Sequence, residues 1–472
     1  MIKLMAWNRT KIVCTLGPAT DAPGVLEELM RSGMSVARVN LSHGERGEHE
    51  RRIAEVRETA RRLGEPIAVL ADLPGPKFRL GILPEGTRRL ADGAQVILAA
   101  EPGPAPVLPV RSPEVLAALR VGEQVYLADG AIELRVSRAA PDKAECEVVA
   151  GGVARSGSGI NVPDSQLTVL IPTAADRRHL EFALSQETDW VGVSFVQEPE
   201  DLSRVRALLP SRDPPLLMAK IEKRRALAGL DAIVAAAEGV MVARGDLGVE
   251  TDLAHIPLVQ KRIIAAANAA ARPAVTATQL LESMVEHERP TRAEVTDVAN
   301  ALLDGTDAVM LSAETAVGRF PVRAVQILQR VLSATEGEYA ERIAIDRLRA
   351  APGSPAQAVS FAACQLAAQL DARAIIAPAR EAAAVCAIAR LRPRAPLVMV
   401  VTSEPLWRKL AMVRGVAPLL APEAGGPEAW LRRARDWLYA RGLAQRGDPA
   451  VLLHAADPSQ SIADSLRTVR LD

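Results

Sequence analysis

Short apolar runs alternate with longer helical patterns through the first three quarters of the chain, and this alternation most narrows the possible folds. Eight runs rich in β-branched and other apolar residues are predicted as strands. Strands that alternate with helices pair in parallel, and eight such units in one domain predict a closed (β/α)8 TIM barrel. The runs are Lys11–Leu16, Ser35–Leu41, Ile67–Leu73, Trp190–Phe195, Leu216–Ile221, Gly239–Ala243, Pro273–Thr278 and Asp307–Leu311, and helical patterns include Arg46–Leu63, Ala174–Gln186, Leu258–Ala271 and Arg292–Leu303.

The third gap between these strands is too long for the regular alternation of strand and helix. About a hundred residues separate Leu73 from Thr173, and they are rich in Gly and Pro with short strand-like pieces. A structureless loop of that length is not expected in a compact domain, so an inserted small β-barrel domain is predicted here. After Gly353, strands and helices alternate again, which predicts a C-terminal α/β domain. The predicted limits are 1–73 and 168–340 for the barrel, 74–167 for the insert and 353–472 for the C-terminal domain.

Composition excludes several classes of function. The 57 Lys and Arg residues balance 57 Asp and Glu, so no net charge favours a nucleic-acid partner. The four scattered cysteines form no CxxC pair, which disfavours a zinc site and suits a reducing compartment. We recognise no secretory leader or membrane span and therefore expect a cytoplasmic protein with no membrane partner. Only eight residues are lysines, so a lysine can mark a position that needs a compact ammonium.

Polar side chains follow seven of the eight predicted barrel strands at their carboxyl ends. TIM-barrel enzymes place their catalytic groups at this rim. Contact with solvent would explain one or two polar strand ends, but not seven, so the rim is predicted to be an active site. In chain order these residues are Arg38, Asn40, Ser42, His43, Asp72, Ser194, Lys220, Glu222, Arg244, Asp246, Thr278, Ser312 and Glu314.

Two of these strand ends carry residues suited to a metal. Lys220 and Glu222 lie two apart on one strand, so their side chains share a face. Glu222 and Asp246, on neighbouring strands, can offer two carboxylates to one Mg²⁺ and leave its other positions to substrate and water. A plain Lys–Glu ion pair is the alternative interpretation. The glycine-rich segment Ala243–Gly248 opens a helix whose N–H groups can bind a carboxylate.

Several segments resemble the pyruvate kinase family, in particular its bacterial members. They occur in the same chain order, include the same inserted domain and extend over essentially the whole chain. The motifs around Lys220, Asp246 and Thr278 are the most specific. The matching segments are Thr10–Thr20, Ala37–Gly44, Asp72–Gly81, Met218–Lys223, Met241–Glu250, Thr276–Met284 and Pro290–Gly318.

The resemblance implies that the phosphoryl group of phosphoenolpyruvate passes to ADP, which gives pyruvate and ATP in the last step of glycolysis. Such a transfer depends on positioning and charge neutralisation. Glu222 and Asp246 are expected to hold Mg²⁺, with Mn²⁺ as an alternative. Lys220 is expected to neutralise the phosphoryl group and the developing enolate, and Arg38 to hold the phosphoryl group from the other side.

Further site residues are implied by the same resemblance. The proton route to the methylene carbon is left open between Thr278 and a water linked to Ser312 and Glu314. The substrate carboxylate is expected at Ala243, Arg244, Gly245, Asp246 and Thr278, and the nucleotide near Asn40, His43, Arg79 and Pro18.

Many family members bind K⁺ beside the phosphoryl site through residues that match Asn40, Ser42, Asp72 and the carbonyl of Leu73. The K⁺-dependent members carry Glu where this chain has Lys77. A lysine ammonium can stand in the place of a monovalent cation, so we expect Lys77 to replace K⁺ and the enzyme not to require it. A solvated lysine at the base of a mobile lid is the alternative.

The inserted domain departs from the family pattern in two places. The basic residue that usually precedes Gly-Val-Asn is missing, since Gly157 and Ser158 precede Gly159 here, and Ala128 replaces an aspartate. We expect weaker ADP affinity, unless Arg155 compensates.

The C-terminal domain also departs from the family pattern. Its segment Pro378–Ala383 lacks the hydroxyls of the family's sugar-phosphate loop, so no activation by fructose bisphosphate is expected. A phosphate site at Ser459 and Ser461 is left open. A homotetramer is expected, with Pro290–Arg292 at a barrel–barrel interface. Two other functions remain open: a catalytically weak or regulatory relative, and a Mg²⁺-dependent lyase acting on an enolpyruvate.

Overall fold

The computed structural model describes residues 7–165, 167, 170–345, 355–421, 426–454 and 465–472. Their strands form three larger sheets and one two-stranded ribbon. In chain order the strands are β1 Lys11–Thr15, β2 Met34–Asn40, β3 Ala68–Asp72, β4 Thr87–Leu90, β5 Gln95–Ala99, β6 Val107–Pro109, β7 Gln124–Leu127, β8 Ile132–Ala140, β9 Lys143–Ala150, β10 Gly152–Arg155, β11 Ile160–Asn161, β12 Trp190–Val193, β13 Leu216–Ile221, β14 Gly239–Ala243, β15 Ala274–Ala277, β16 Ala308–Leu311, β17 Ile375–Pro378, β18 Leu397–Val401, β19 Val416–Leu420, β20 Pro449–His454 and β21 Ser465–Arg470.

Helices separate most of the strands of the barrel and of the C-terminal sheet. Thr173 and Thr291 each begin a helix with reciprocal capping hydrogen bonds, and Gly64 and Gly305 each end one in the left-handed conformation, with Thr291 and Gly305 on the same helix. The helices are α1 Val25–Arg31, α2 Arg46–Leu63, α3 Pro113–Ala118, α4 Ala174–Ser185, α5 Pro199–Arg206, α6 Leu230–Ala236, α7 Arg244–Glu250, α8 Ile256–Ala269, α9 Arg292–Asp304, α10 Ala313–Ala316, α11 Pro321–Ile345, α12 Pro355–Gln369, α13 Ala382–Ala389, α14 Glu404–Lys409 and α15 Pro427–Ala440.

The first sheet is a closed barrel of eight parallel strands, β1–β3 and β12–β16, arranged around the barrel in chain order. Six of these strands are buried along their whole length, as expected where helices cover the outside and side chains fill the inside. All eight predicted strands are present, with ends within two residues of the prediction. The predicted TIM barrel is therefore confirmed.

The insert between β3 and α4 contains β4–β11. Six of its strands form one curled sheet in the order β11-β7-β8-β9-β5-β6, while β4 and β10 pair separately. Two register shifts between β8 and β9 help to curl this sheet. Residues 78–81 connect the two edges of this sheet, β11 and β6, through the bridges Arg79–Gly159 and Leu80–Val110, so the predicted inserted β domain is confirmed as a curled half-barrel.

The C-terminal sheet has the order β19-β18-β17-β20-β21, with β21 antiparallel at its edge. The α/β character predicted for this region is confirmed. The predicted domain limits stay predictions, and residues 346–354 at one of them lie outside the described residues, as do Ser459 and Ser461. No helix in the described ranges combines the length and apolar character that crossing a membrane requires.

The amino ends of the barrel strands form a floor that the C-terminal domain closes. The 3₁₀ turn Leu410–Met412, here called the floor plug, is buried, and its last two residues join the barrel-interior cluster of Trp190, Met218 and Met241. The Trp190 indole N–H donates a hydrogen bond of 3.1 Å to the carbonyl of Lys409. The barrel core therefore includes side chains from another domain.

Two buried ion pairs flank the floor plug. Arg408 lies 2.9 Å from Asp189, which precedes β12, and Arg392 lies 2.9 Å from Asp307, which precedes β16. Each arginine comes from the C-terminal domain and each aspartate from the barrel. The two domains thus join through charges that are paired at the contact.

Candidate active site

A cleft of about 490 Å³ lies between the barrel rim and the inserted domain. Rim residues from four strand ends line one wall, among them Arg38, Lys220, Glu222 and Asp246. The opposite wall comes from the insert and includes Asp129, Gly157, Ser158, Gly159, Ile160 and Asn161.

Asp72 binds two cations at the centre of this rim. Arg38 donates from Nε to Asp72 Oδ2 at 2.7 Å, and its Nη2 lies at the same distance. Lys220 Nζ lies 3.0 Å from Asp72 Oδ1, although the two residues are on strands separated by β12. Gly192 of β12 permits this approach, because a Cβ there would lie 3.2 Å from Asp72 Oδ1. The sequence thus places one buried carboxylate between two buried cations.

The surroundings of these groups keep them charged. Burial alone would lower the pKa of Lys220, but the carboxylates of Asp72 and Glu222 overcome this effect and raise it above its usual value. Burial would likewise raise the pKa of Asp72, but Lys220 and Arg38 together hold it below its usual range. Lys220 is therefore an ammonium and Asp72 a carboxylate at neutral pH.

Glu222 is the second carboxylate beside Lys220. Its Oε1 lies 2.8 Å from Lys220 Nζ, and its Oε2 accepts a hydrogen bond of 2.7 Å from the Phe195 backbone N–H. Burial raises the pKa of Glu222, and the nearby charge of Asp246 acts in the same direction, while Lys220 opposes them. Asp246 itself is exposed in the first turn of α7.

The donors available for a metal are two hard carboxylates. Within the described ranges no group of three or more His, Cys, Asp or Glu side chains is placed to hold an ion. Glu222 and Asp246 line the same cleft, and no hydrogen bond or ion pair of Asp246 is found in the described part of the chain. Two carboxylates with the remaining positions left to substrate and water fit Mg²⁺.

The residues predicted to bind the substrate carboxylate lie where α7 approaches the end of β15. The Gly245 N–H donates a hydrogen bond of 2.9 Å to the Thr278 hydroxyl, which itself donates to the carbonyl of Ala277. Thr278 has a φ of 67°, in the left-handed region that costs a β-branched residue strain. The Arg244 guanidinium donates to the Thr278 carbonyl at 2.6 Å and to Asp297 at 2.7 Å, so this side chain supports the loop.

Glu314 connects the loops after β15 and β16. It is fully buried, and its two carboxylate oxygens accept hydrogen bonds from the backbone N–H groups of Leu281 and Ser312. The Ser312 hydroxyl oxygen is buried and has no hydrogen-bond partner in the described structure. The buried Ser312 hydroxyl can therefore still form a hydrogen bond, whereas both carboxylate oxygens of Glu314 already accept one.

Three of the four residues predicted near the nucleotide line the cleft. They are Asn40, His43 and Arg79, whereas Pro18 lies in an exposed turn after β1 and is not among the lining residues. Arg79 donates to the carbonyl of Gly157 at 2.8 Å, which holds it against the insert. Burial and neighbouring cations lower the pKa of His43, so the imidazole is neutral at pH 7.

The residues predicted for a monovalent cation lie together but are already engaged. Asn40 Oδ1 accepts from the Ser42 N–H at 3.2 Å, and the Leu73 carbonyl accepts a hydroxyl hydrogen bond of 2.7 Å. Lys77 lines the same cleft, and no carboxylate lies within 4.0 Å of its Nζ in the described ranges. The enclosure of the cleft, with Arg79 and Lys220 nearby, lowers the pKa of Lys77.

Sequence reasoning missed a set of contacts between the insert and the barrel. Lys223 Nζ lies 2.6 Å from Glu250 Oε1, which also accepts from Asn161 of the insert at 3.3 Å. Arg224 lies 2.8 Å from Asp164 near the second connection to the insert. The basic residues that follow Glu222 are the only signal for these contacts, and their partners are distant in sequence. Arg155 is exposed and is not among the residues that line the cleft.

Comparison with known proteins supports the family resemblance of the sequence motifs along the chain. Residues 7–325 match the family model described as "Pyruvate kinase, barrel domain", and residues 357–467 match "Pyruvate kinase, alpha/beta domain". The chain is 38% identical to pyruvate kinase of Geobacillus stearothermophilus, over 98% of this chain and 80% of the relative. It is 38% identical to an Agrobacterium vitis pyruvate kinase and 39% identical to that of Methylorubrum extorquens, with 94% of each chain covered in both comparisons.

These matches extend over all three parts of the fold, including the inserted domain. They confirm the resemblance found in the motifs and, with it, the enzyme class, pyruvate kinase (EC 2.7.1.40). The chain belongs to the pyruvate kinase family.

Proposed function

We propose that this enzyme transfers the phosphoryl group of phosphoenolpyruvate to ADP with the residues predicted at the rim, with Mg²⁺ or Mn²⁺ and without a requirement for K⁺. The observation that carries this proposal is the pair of cations on one buried aspartate. Arg38 and Lys220 approach Asp72 from two strands and line the cleft that also contains Glu222 and Asp246. Such fixed charges stabilise a migrating phosphoryl group without reorganisation.

In the proposed reaction, the bond between phosphorus and the enol oxygen breaks while a terminal ADP oxygen bonds to phosphorus. Lys220 and Arg38 hold the phosphoryl oxygens during this exchange. The N–H groups at the start of α7 orient the substrate carboxylate, and the Thr278 hydroxyl donates to it when its hydrogen leaves the carbonyl of Ala277. Glu222 and Asp246 would hold the divalent metal, which neutralises charge on the phosphoryl and enolate oxygens when bound.

The enolate must then gain a proton at its methylene carbon. The Thr278 hydroxyl hydrogen is engaged with the carbonyl of Ala277, while the buried Ser312 hydroxyl has no partner in the described structure. We therefore favour a water held by Ser312 as the proton source. Ser312→Ala should slow the exchange of pyruvate methyl hydrogens with solvent by about tenfold or more. Unchanged exchange in Ser312→Ala, with slowed exchange in Thr278→Ala, would favour Thr278 instead.

Independence of K⁺ is supported by the charges at the predicted monovalent site. Both oxygens of Asp72 already face cations, and Lys77 adds another positive charge to the same cleft. Lys77→Glu should therefore be less active than the parent without K⁺, and added K⁺ should restore its activity. Lys143→Glu, on an exposed lysine of the insert, is the matched control and should behave like the parent.

The decisive assay follows pyruvate from phosphoenolpyruvate with Mg²⁺, with and without ADP, first without K⁺ and then with it. Pyruvate release that requires ADP and no K⁺ is the expected result. Activity only with K⁺ would keep the kinase and reject the role of Lys77. Release without ADP would indicate a lyase, and no release from folded protein would indicate a weak or regulatory relative.

Four further properties belong to this proposal. ADP affinity should be low, because the two departures in the insert remove charged groups and Arg155 is not among the cleft-lining residues. Fructose bisphosphate should not activate the enzyme. We also propose a cytoplasmic homotetramer with Pro290–Arg292 at a barrel–barrel interface. Titration calorimetry, activation assays and sedimentation velocity test affinity, activation and assembly separately.

A further inference from the structure

The end of β12 carries a buried hydroxyl in contact with the proposed catalytic lysine. Ser194 directly follows β12, and only 2% of its surface is exposed. Its Oγ accepts a hydrogen bond of 2.6 Å from Lys220 Nζ and donates one of 2.7 Å to the carbonyl of Leu73. Ser194 therefore joins the lysine to the end of β3.

The direction of these two hydrogen bonds is fixed by chemistry. A serine hydroxyl has one hydrogen, and a carbonyl can only accept, so the hydrogen must face Leu73 and a lone pair must face Lys220. Asp72 and Glu222 also surround the ammonium, but they are charged and lie at 3.0 and 2.8 Å. The hydroxyl of Ser194 is thus the nearest of the three oxygens, and the only one without charge.

The backbone next to Ser194 is held in an unusual conformation. Phe195 has a φ of 59°, a strained value for a bulky residue, and its N–H donates to Glu222 Oε2. Gly75 packs against this corner so closely that a Cβ there would lie 2.6 Å from the Phe195 ring and 2.9 Å from Ser194 Cβ. Two successive residues therefore contact Lys220 and Glu222 from a corner with little freedom to move.

We propose that Ser194 is a positioning residue that fixes the Lys220 ammonium for phosphoryl transfer, by accepting one of its hydrogens while anchored on the Leu73 carbonyl. This inference rests on the role of Lys220 in the proposed function. Without the hydroxyl, two carboxylates alone attract the ammonium and draw it away from the open side of the cleft. A displacement of about 1 Å at a catalytic group can cost about a hundredfold in rate.

Kinetics of Ser194→Ala give the first test. The turnover number should fall about ten- to a hundredfold, while the KM for phosphoenolpyruvate changes by no more than about twofold. Thr188→Val is the matched control, because Thr188 is a buried residue just before the amino end of β12 and its hydroxyl donates to the carbonyl of Ala183, away from the rim. Thr188→Val should keep the turnover number of the parent, even if its unfolding temperature falls by as much as that of Ser194→Ala.

A second readout does not depend on activity. The chain has only eight lysines, so the Nζ–H signals of a ¹⁵N-lysine sample can be assigned, with Lys220→Arg identifying the signal of interest. A buried, hydrogen-bonded ammonium should give a slowly exchanging signal in the parent. Ser194→Ala should accelerate its exchange at least about tenfold, because one of the three oxygens that hold the ammonium is lost.

The outcomes separate this inference from the proposed function. If the parent forms ATP from phosphoenolpyruvate and ADP, but Ser194→Ala keeps the parent turnover and exchange rate, the positioning role is wrong and the function stands. If the parent forms no ATP, the proposed function fails, and the exchange measurement still shows whether Ser194 holds the ammonium. A loss of turnover equal to that of Thr188→Val would also overturn the positioning role.

Discussion

The two ends of the same barrel both bury charges, but they differ in what covers those charges. At the floor, Arg392 Nη2 contacts Asp307, the carbonyl of Gly305 and the side chain of Asn268, while its buried Nε and Nη1 have no hydrogen-bond partner in the described residues. At the rim, Arg38 and Lys220 share Asp72, just as Arg57 and Arg408 share Asp189 at the floor. The floor is covered by the C-terminal domain, whereas the rim faces a cleft.

Strained backbone occurs at both ends of the barrel: four residues with positive φ lie at the floor, namely Glu187, Asp213, Ala271 and Arg392. Phe195, Thr278 and Gln279 have positive φ values, and all three lie just beyond the carboxyl ends of barrel strands. Strain of this kind costs about 1–3 kcal/mol per residue and persists where surrounding contacts over-determine the backbone. The two ends therefore differ in their surroundings: the floor charges lie inside a contact between domains, whereas the rim charges line a cleft that a ligand can enter.

The largest expected effect tests the rim. Lys220→Met should lower the turnover number by about a thousandfold or more, because it removes the charge that faces the migrating phosphoryl group. Steady-state kinetics measure the loss, and circular dichroism should show a folded protein. Lys143→Met is the matched control on an exposed lysine. Near-parent turnover of Lys220→Met would break the assignment of the rim.

A change at the floor should have the opposite signature. Arg392→Ala leaves Asp307 buried without its cation, which should lower the free energy of unfolding by about 3–5 kcal/mol. The turnover number of the folded fraction should stay within about twofold of the parent. Urea unfolding measures the first quantity, and Arg390→Ala, which removes a single hydrogen bond to the carbonyl of Ala269, is the control. A selective loss of turnover would show that the floor takes part in catalysis.

The stability of the folded protein at alkaline pH should depend on Lys11, which lies at the floor. Burial lowers the pKa of Lys11 from the ordinary 10.5 to about 8, although Glu336 opposes the shift. Between these two values the unfolded chain binds a proton that the folded protein has lost, so stability rises with pH by at most about 3 kcal/mol. The stability of the parent relative to Lys11→Met should therefore increase as the pH rises from 7.5 to 10, as measured by thermal unfolding of both. A difference that stays constant over this range would contradict the shift.

The smallest expected effect combines stability and activity at one rim position. Gly75 has a φ of 67°, and a Cβ there would press against Phe195. Gly75→Ala should cost about 2 kcal/mol of unfolding free energy and also lower turnover, since the displaced corner carries Ser194. Gly86→Ala is the control, with a φ of 72° but open space around its Cβ position. Equal effects of both substitutions on turnover would mean that the Phe195 contact is irrelevant.

Much of the fold could be predicted from the sequence because its signals are local. The barrel strands are apolar runs, and β13 and β14 coincide with their predictions at both ends. The short bridges that connect the edges of the insert sheet could not be predicted, since they pair residues 79 and 80 with residues distant in sequence. Strand β21 was missed, because four of its six residues are polar or charged and it lies at a sheet edge.

The candidate site divides in the same way. Residue types at strand ends predicted that Arg38, Asp72 and Lys220 would meet at one rim, because the barrel rule fixes where those ends converge. Which side chains bond each other was not predictable, since Lys220 reaches Asp72 across β12 through the space left by Gly192. The strained φ of Phe195 has no sequence signal either, because the surrounding packing imposes it.

The floor plug has a consequence for synthesis on the ribosome. The eighth barrel strand ends at Leu311, but the interior beneath it is completed by Met412, which is made about a hundred residues later. At a synthesis rate of roughly 5–20 residues per second, about 5–20 seconds pass between completion of the last barrel strand and synthesis of the turn that covers Trp190 and Met241. During that interval a nascent barrel has an apolar opening at its base, so this chain should engage chaperones until the C-terminal domain emerges, and a truncation before residue 355 should leave that opening permanent.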